Sequence, residues 1–521
     1  MASPLPVQAV LPEVTDALRS TGTCVLVAPT GAGKTTRMPP ALVEAGLGPV
    51  VVLEPRRIAA RAAARRVAFE RGETLGEEVG YQVRFERRTS AKTRLTFMTE
   101  GIFVRRLQDD PFLEGIGCIV LDEFHERSLD LDLSLALVRR IQLEARDDLG
   151  LVVTSATLDA EQVARYLDDA PIVRSEGRSF PVTTRHLPPA SGEREEEHVA
   201  RGVREAVELQ DGHVLTFLPG RREIRRTKEA LADLGRARGI ELVELYGELS
   251  AKDQDAVLQP SEKRKVVLAT NVAESSITVP GVSSVVDTGL VRRLRHHPGS
   301  GLDRLVLERV SVASADQRSG RAGREAAGLC LRLWSAAEHR TLSAFEPPEV
   351  QRADLTGVAL QLLLFGENDL WSFPWFERPS EKALTAALDL ARMLGAIDGG
   401  GRFTDLGRRL ARIPAHPRLA RLLLEGGRSG IPRRAATAAA LLGERDPWRR
   451  DAASDSGRES DVLDRVHALE RFEKRGTSSA PELHPPAARN ILAAKKQLER
   501  LVERDPAAAP GSMEETDDAL L

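Results

Sequence analysis

With 521 residues the chain is too long for a single hydrophobic core and implies about three or four domains of ordinary size. Its 42% hydrophobic and 29% charged residues are those of a soluble globular protein, and no apolar stretch approaches the ~20 residues needed to span a bilayer. The net charge of −3 supplies no global basic field, yet 74 Lys and Arg can still concentrate along one groove. Aromatics are only 4%, which argues that any bound strand is held by its backbone rather than by stacking.

The start, Met1-Ala2-Ser3-Pro4-Leu5-Pro6, lacks the basic region and apolar core of a signal peptide, so the expected compartment is the cytoplasm, with no membrane partner. Cys24, Cys118 and Cys330 each sit in an apolar, strand-like stretch and are read as buried reduced thiols.

From residue 23 to about 180, short apolar runs at 24–28, 50–53, 95–98, 118–121 and 151–154 alternate with helical patterns. Near-continuous apolar strands separated by helices indicate a parallel sheet covered on both faces. After a polar, acidic stretch at 191–198 the pattern repeats, with runs at 214–218, 241–245, 266–269, 285–287 and 330–333, so the chain reads as a tandem of two α/β units. Past residue 340 the strand runs vanish. Amphipathic helices are expected at 354–365 and 381–394, followed by a glycine-tipped hairpin at 396–404, the helix-helix-hairpin order of a winged helix. Residues 409–503 read as a helical bundle interrupted by a polar loop at 451–460, and the Ala/Pro/acidic end is expected to fray.

The chemistry starts in the first unit. Directly after an apolar run stands Ala28-Pro29-Thr30-Gly31-Ala32-Gly33-Lys34-Thr35-Thr36, a phosphate-binding loop. Its glycines let backbone N–H groups approach phosphates, Lys34 reaches the β and γ oxygens, and the Thr35 hydroxyl ligates Mg²⁺. Pro39 and Pro40 inside the following helix predict a local kink. At the end of another buried run, Asp122 is placed to hold Mg²⁺ and Glu123, beside the metal, to orient the attacking water as general base. His125 either couples this site to neighbouring segments or is a hydrogen-bonded loop histidine.

Taken together, the loop, Glu54-Pro55-Arg56-Arg57, Thr99-Glu100-Gly101, Asp122-Glu123-Phe124-His125 and Ser155-Ala156-Thr157 resemble motifs I, Ia, Ib, II and III of superfamily 2 helicases. The second unit continues in order with Phe217-Leu218-Pro219-Gly220, then 269–278 (Ala-Thr-Asn-Val-Ala-Glu-Ser-Ser-Ile-Thr), then Gln317-Arg318-Ser319-Gly320-Arg321-Ala322-Gly323-Arg324. The set resembles the DEAH/RHA helicase family over about residues 10–500, and Phe124 in place of the box alanine is similar to its bacterial HrpB-type branch.

That resemblance implies two RecA-like domains, at 1–180 and 181–340, a winged helix at 341–408, a helical ratchet-like domain at 409–505 and a disordered tail at 506–521. It implies an ATP-dependent RNA helicase with ATP and Mg²⁺ as cofactors, moving 3′ to 5′ on single-stranded RNA, with DNA left open. An NTPase that remodels ribonucleoprotein, or an ATP-switched RNA clamp without processive unwinding, remains as an alternative. Gln317, Arg321 and Arg324 are expected to reach across a cleft to the γ-phosphate. Arg66 is matched to the family's adenine-facing arginine, or is an exposed helix arginine, and Leu258 stands where many members carry a base-covering phenylalanine. Asp287 is either a ribose ligand or a loop cap. Arg56, Arg57, Thr99, Gly101, Gly220, Arg221, Thr270 and Asn271 fall where the family holds the nucleic-acid backbone. Residues 290–312 resemble the family's long strand-separating hairpin, whose two histidines have no further ligand nearby. Trp371-Ser372-Phe373-Pro374-Trp375-Phe376 is expected to pack as an anchor of the winged helix. Members of the branch usually continue for several hundred residues more, so a shortened chain or a lost module is expected.

Overall fold

The computed structural model describes residues 5–29, 31–155, 160–176, 180–247, 249–274, 278–297, 302–444, 446–449 and 460–503. The second half of the Ser155-Ala156-Thr157 motif, Ser275 to Ile277, the tip of the long hairpin, most of the 451–460 loop and the acidic tail therefore lie outside the described residues.

Two sheets and a set of helices make up the described chain. The first sheet contains β1 (Thr23–Val27), β2 (Val50–Glu54), β3 (Val79–Val83), β4 (Glu86–Arg88), β5 (Leu95–Thr99), β6 (Cys118–Leu121), β7 (Gly150–Ser155) and β8 (Ile172–Arg174), in the order β4-β3-β5-β2-β6-β7-β1-β8. Only the β3–β4 pair is antiparallel. The apolar runs read from the sequence are five of these strands; β3, β4 and β8, with polar or glycine-broken sequences, escaped the pattern. Cys24, Leu26, Val50, Val52, Val120 and Val152 share one buried core with helices Leu11–Thr21, Lys34–Glu44 and Arg57–Arg71. The Lys34–Glu44 helix runs on through Pro39 and Pro40 without a break.

The second sheet is wholly parallel, in the order β11-β12-β10-β13-β16-β9, from β9 (Val182–His186), β10 (His213–Phe217), β11 (Glu241–Leu245), β12 (Lys265–Ala269), β13 (Val282–Asp287) and β16 (Gly328–Arg332). Alternate residues serve opposite faces: Val214, Val266, Leu268 and Val286 enter one core, Leu215, Val267, Ala269 and Val285 another. Both faces are thus covered, which is why these strands read as continuous apolar runs. β14 (Leu290–His297) and β15 (Leu302–Arg309) form a separate antiparallel hairpin.

The chain divides into two compact units, residues 1–353 with 374–378, and residues 354–373 with 379–521. Both sheets belong to the first. In the second, helices Thr356–Leu364 and Glu381–Met393 precede an antiparallel bridge between Ile397 and Phe403, and Thr404 caps the helix Asp405–Arg412 through the Gly407 amide. Helices Pro417–Arg428, Pro432–Gly443, Asp461–Arg475 and Pro485–Glu503 follow, closing over Leu423, Ala436, Val466, Leu469, Ile491 and Leu498.

Candidate nucleotide and nucleic-acid site

Strand order explains the site. In the first sheet β6, β7 and β1 are neighbours, so the loops at their carboxyl ends open side by side, the usual ligand position of an open parallel sheet. β1 delivers Pro29, Gly31, Ala32 and Gly33, then the first helical turn with Lys34, Thr35 and Thr36; Thr30 lies outside the described residues. Gly33 has φ +93°, a backbone conformation that favours glycine, and a Cβ there would also press on the Leu5 side chain at 2.8 Å.

β6 ends in Asp122 and Glu123. Lys34 Nζ lies 3.0 Å from Glu123 Oε2, and the Thr35 hydroxyl donates to Asp122 Oδ2 at 2.5 Å. Between them, Thr154 at the end of β7 donates its hydroxyl to Asp122 and accepts from the Glu123 amide at 3.3 Å. Lys34 and Glu123 are each 3% exposed. Burial alone raises the Glu123 carboxyl, but the Lys34 ammonium, helped by His125 and Arg321, outweighs it and holds Glu123 down to about 2. Glu123 also sits in the left-handed region at φ +51°, as does Arg127 at φ +50°, so the 3₁₀ turn between them (Phe124–Glu126) is bracketed by strain of about 1–2 kcal/mol per residue.

A hydroxyl and a carboxylate side by side fit Mg²⁺, which keeps several waters and shares its shell with phosphate oxygens. Among the described residues no cluster of three His, Cys, Asp or Glu side chains forms an all-protein metal cage. Thr35 and Asp122 are the residues that would hold the ion.

The second domain presents its basic groups to this acid cluster. Gln317 Nε2 is 2.6 Å from His125 Nε2, and His125 Nδ1 is 3.5 Å from Glu123 Oε2, which favours the coupling reading of His125. Burial lowers the imidazole, against the pull of Glu123. Arg321 donates through Nε to the Glu274 carbonyl at 3.0 Å, and its pKa is pushed well down by burial and then by Arg324. Arg324, lowered to about 10 by burial, lies beside the phosphate loop: its Nε is 3.9 Å from where a Cβ of Gly31 would be.

The remaining expected residues separate into two groups. Arg56 and Arg57 follow β2, Thr99 and Gly101 flank the end of β5, Gly220 and Arg221 follow β10, and Thr270 and Asn271 follow β12, so all eight lie at carboxyl ends of strands. Arg56 donates to the Asn271 carbonyl, joining the two sets, and pairs with Glu126 at 3.3 Å. Arg221 lies over the Tyr246 ring. Gly220 lies against the Arg292 guanidinium, which a Cβ there would have to displace.

Of the two readings of Asp287 the structure favours the loop cap over the ribose ligand: the residue is fully buried, and its Oδ1 accepts from the Gly289 amide at 2.9 Å and from Arg318 at 2.9 Å within the second domain. Leu258 is partly buried and packs against the apolar core under β10 and β12. Arg66 is 62% exposed and paired with Glu70. In the aromatic segment Phe373 and Phe376 are buried: Phe373 belongs to the second unit, and residues 374–378 to the first, where Phe376 packs on Phe124.

Sequence reasoning missed several residues. Thr154 has no motif letter of its own inside β7. Arg318, fully buried, pairs with Glu274 and Asp287 at 2.9 Å each and thereby fixes the residue whose carbonyl holds Arg321. Glu54, also fully buried, is pushed well above the usual carboxyl range by burial and by Asp122 and Glu123. Both Glu274 and Arg318 lay within quoted motifs, which was the available signal.

Comparison with known proteins agrees with this geometry. Residues 8–166 match the DEAD/DEAH box helicase model and residues 199–326 the helicase conserved C-terminal domain. The chain belongs to the DEAD/DEAH box helicases. Over 447 residues this helicase chain is 43% identical to the ATP-dependent RNA helicase HrpB of Escherichia coli K12, covering 85% of this chain and 55% of that protein. It is 37% identical over 459 residues to the ATP-dependent RNA helicase HrpA of the same strain, covering 86% and 35%. A crystal structure of the E. coli DEAH/RHA helicase HrpB superposes with a TM-score of 0.81 at 41% identity, covering 91% of this chain and 61% of that one. A second, of the E. coli DExH-box NTPase HrpB, gives 0.79 at 39% identity, covering 96% and 59%. The chain thus spans 55% of the HrpB sequence and 35% of HrpA. Among the described residues no helix is long and apolar enough to cross a membrane.

Proposed function

We propose that this chain is an ATP-dependent RNA helicase motor that couples hydrolysis to movement on single-stranded RNA, 3′ to 5′ as the family reading implies. The observation that carries the reading is the meeting of Lys34, Thr35, Asp122 and Glu123 from one domain with Gln317, Arg321 and Arg324 from the other.

Each group has a role. The amides of the phosphate loop receive the β and γ phosphates, and Lys34 neutralises them. Thr35 and Asp122 would hold Mg²⁺, which would offset charge on the phosphate oxygens. A triphosphate competes for the Lys34 ammonium and so frees Glu123 from the partner that depresses its pKa. Glu123 then orients the attacking water and takes its proton. Arg321 and Arg324 stabilise the charge that develops on the transferring phosphoryl group, which ties hydrolysis to closure of the cleft. The domain boundaries 1–180, 181–340, 341–408 and 409–505 are retained as working limits, with the last two as winged helix and ratchet.

The eight residues at the strand ends supply backbone amides, short hydroxyls and arginines, which suit phosphates and carry little sequence information. The hairpin exposes Leu294, Leu305 and Leu307, while Arg292, Arg293 and Arg295 are paired with Glu223, Glu346 and Glu308, so it presents an apolar blade that fits a strand separator. Deletion of residues 294–301 is expected to abolish unwinding while sparing ATPase activity; equal loss of both would remove the wedge role. The clamp reading predicts RNA-stimulated hydrolysis without translocation along a labelled strand, and net 3′-to-5′ movement excludes it.

A further inference from the structure

Phe124 stands where the family box usually carries alanine, and its surroundings give that ring a task. It is 1% exposed and meets Phe376 edge to face, with centroids 5.3 Å apart at 73°. Phe376 also meets Tyr166 at 5.3 Å and 87°, and the Tyr166 hydroxyl donates to the Pro374 carbonyl at 2.7 Å. The Arg127 guanidinium lies 4.5 Å over the Phe376 ring, and it pairs with Asp132 at 2.9 Å and Glu377 at 3.0 Å. From the preceding segment, the Glu349 amide donates to the Arg127 carbonyl and the Glu349 carboxylate accepts from the Leu129 amide.

These contacts converge on the strained turn that presents Glu123 and His125. Glu123 and Arg127, the two left-handed residues, are its ends, and a strained turn persists only where its surroundings over-determine it. On one side Thr154 and Asp122 fix the Glu123 amide. On the other side Phe376 and Glu377 grip Phe124 and Arg127. Residues 374–378 form this strap, while the chain on both sides of it, 354–373 and 379 onward, belongs to the other unit.

We propose that Phe376, with Glu377, is a positioning residue for hydrolysis: it clamps the Phe124–Glu126 turn through Phe124 and Arg127 and so holds Glu123 and His125 in register with the phosphates. The proposal rests on the functional reading above. It gives the strap a consequence beyond packing, because loss of its grip on Phe124 and Arg127 loosens the turn that carries the general base.

The test is Phe376→Ala in the full chain, read by ATP turnover and by amide hydrogen exchange over residues 121–128. Turnover is expected to fall roughly 10-fold, within the penalty of up to about 10²-fold for a misplaced catalytic group, with KM for ATP changed by less than about twofold. Amide exchange in the turn is expected to quicken, and Phe376→Tyr, which keeps the ring, to restore both readouts. Phe124→Ala should reproduce the loss, and the double variant should add nothing to it, as expected for two halves of one contact. Unchanged turnover and unchanged exchange in a folded Phe376→Ala chain overturn the proposal, as do losses that simply multiply in the double variant. Should that chain fail to fold, Glu377→Gln keeps the ring and removes one carboxylate from Arg127; the same split at smaller size supports the clamp, and no change overturns it. If the intact chain hydrolyses no ATP, the proposed function falls, and the exchange measurement still decides the strap.

Discussion

The two parallel-sheet domains follow one plan and carry opposite charge at the ends of their strands. The first sets Glu123 against Lys34 beside Asp122, whereas the second turns Arg321 and Arg324 toward Glu123. Each half is under electrostatic tension. Glu123 is held down by Lys34, and both arginines are lowered first by burial, with Arg324 adding to the shift of Arg321. In the proposed function a triphosphate with its metal ion would relieve both at once, since its oxygens would attract Lys34 and the arginines together. The same architecture would then serve as substrate holder in one copy and as charge sensor in the other.

The largest effect is expected on the basic side. Arg324→Ala or Arg321→Ala should lower turnover by about 10³-fold or more while ATP binding, followed by a fluorescent analogue, stays near its original strength. On the acidic side Glu123→Gln should cost about 10²–10⁴ in turnover and keep ATP binding; near-normal turnover would remove Glu123 from its role. Thr154→Val deletes the hydroxyl between Asp122 and the Glu123 amide and should cost about 10-fold in kcat, as loss of a partner behind a metal ligand commonly does.

The smallest effect concerns stability and pH. Burial, with Glu349 nearby, pushes Asp130 up to about 6. Its folded value lies above the unfolded one of about 3.9, so the folded chain loses stability as pH rises from about 4 to about 6 and does not regain it above. Asp130→Asn fixes the neutral form. It should raise the urea midpoint near pH 7.5 and have little effect near pH 4.

How much of this was legible depended on where each residue's partners lie. The tandem sheets could be read because strands buried on both faces leave continuous apolar runs, as at 118–121 and 266–269. Lys34, Thr35, Asp122 and Glu123 could be read because loop chemistry fixes their spacing. β3, β4 and β8 were missed because Gly80, Arg87 and Arg174 interrupt the apolar pattern. The two readings of Asp287 could not be separated because a carboxylate at a strand end looks alike whether it meets a ligand or a buried arginine, and Arg318 stands 31 positions away. Phe124 and Phe376 are 252 positions apart by number, and no local pattern links them.

The most direct test of the central claim is the ATPase rate of the intact chain and of Arg324→Ala, each with and without single-stranded RNA. The account predicts turnover by the intact chain that rises with RNA, and a loss of about 10³-fold in the variant under both conditions. Equal turnover by the two chains would contradict it, because the acidic half would then be hydrolysing ATP without its basic counterpart.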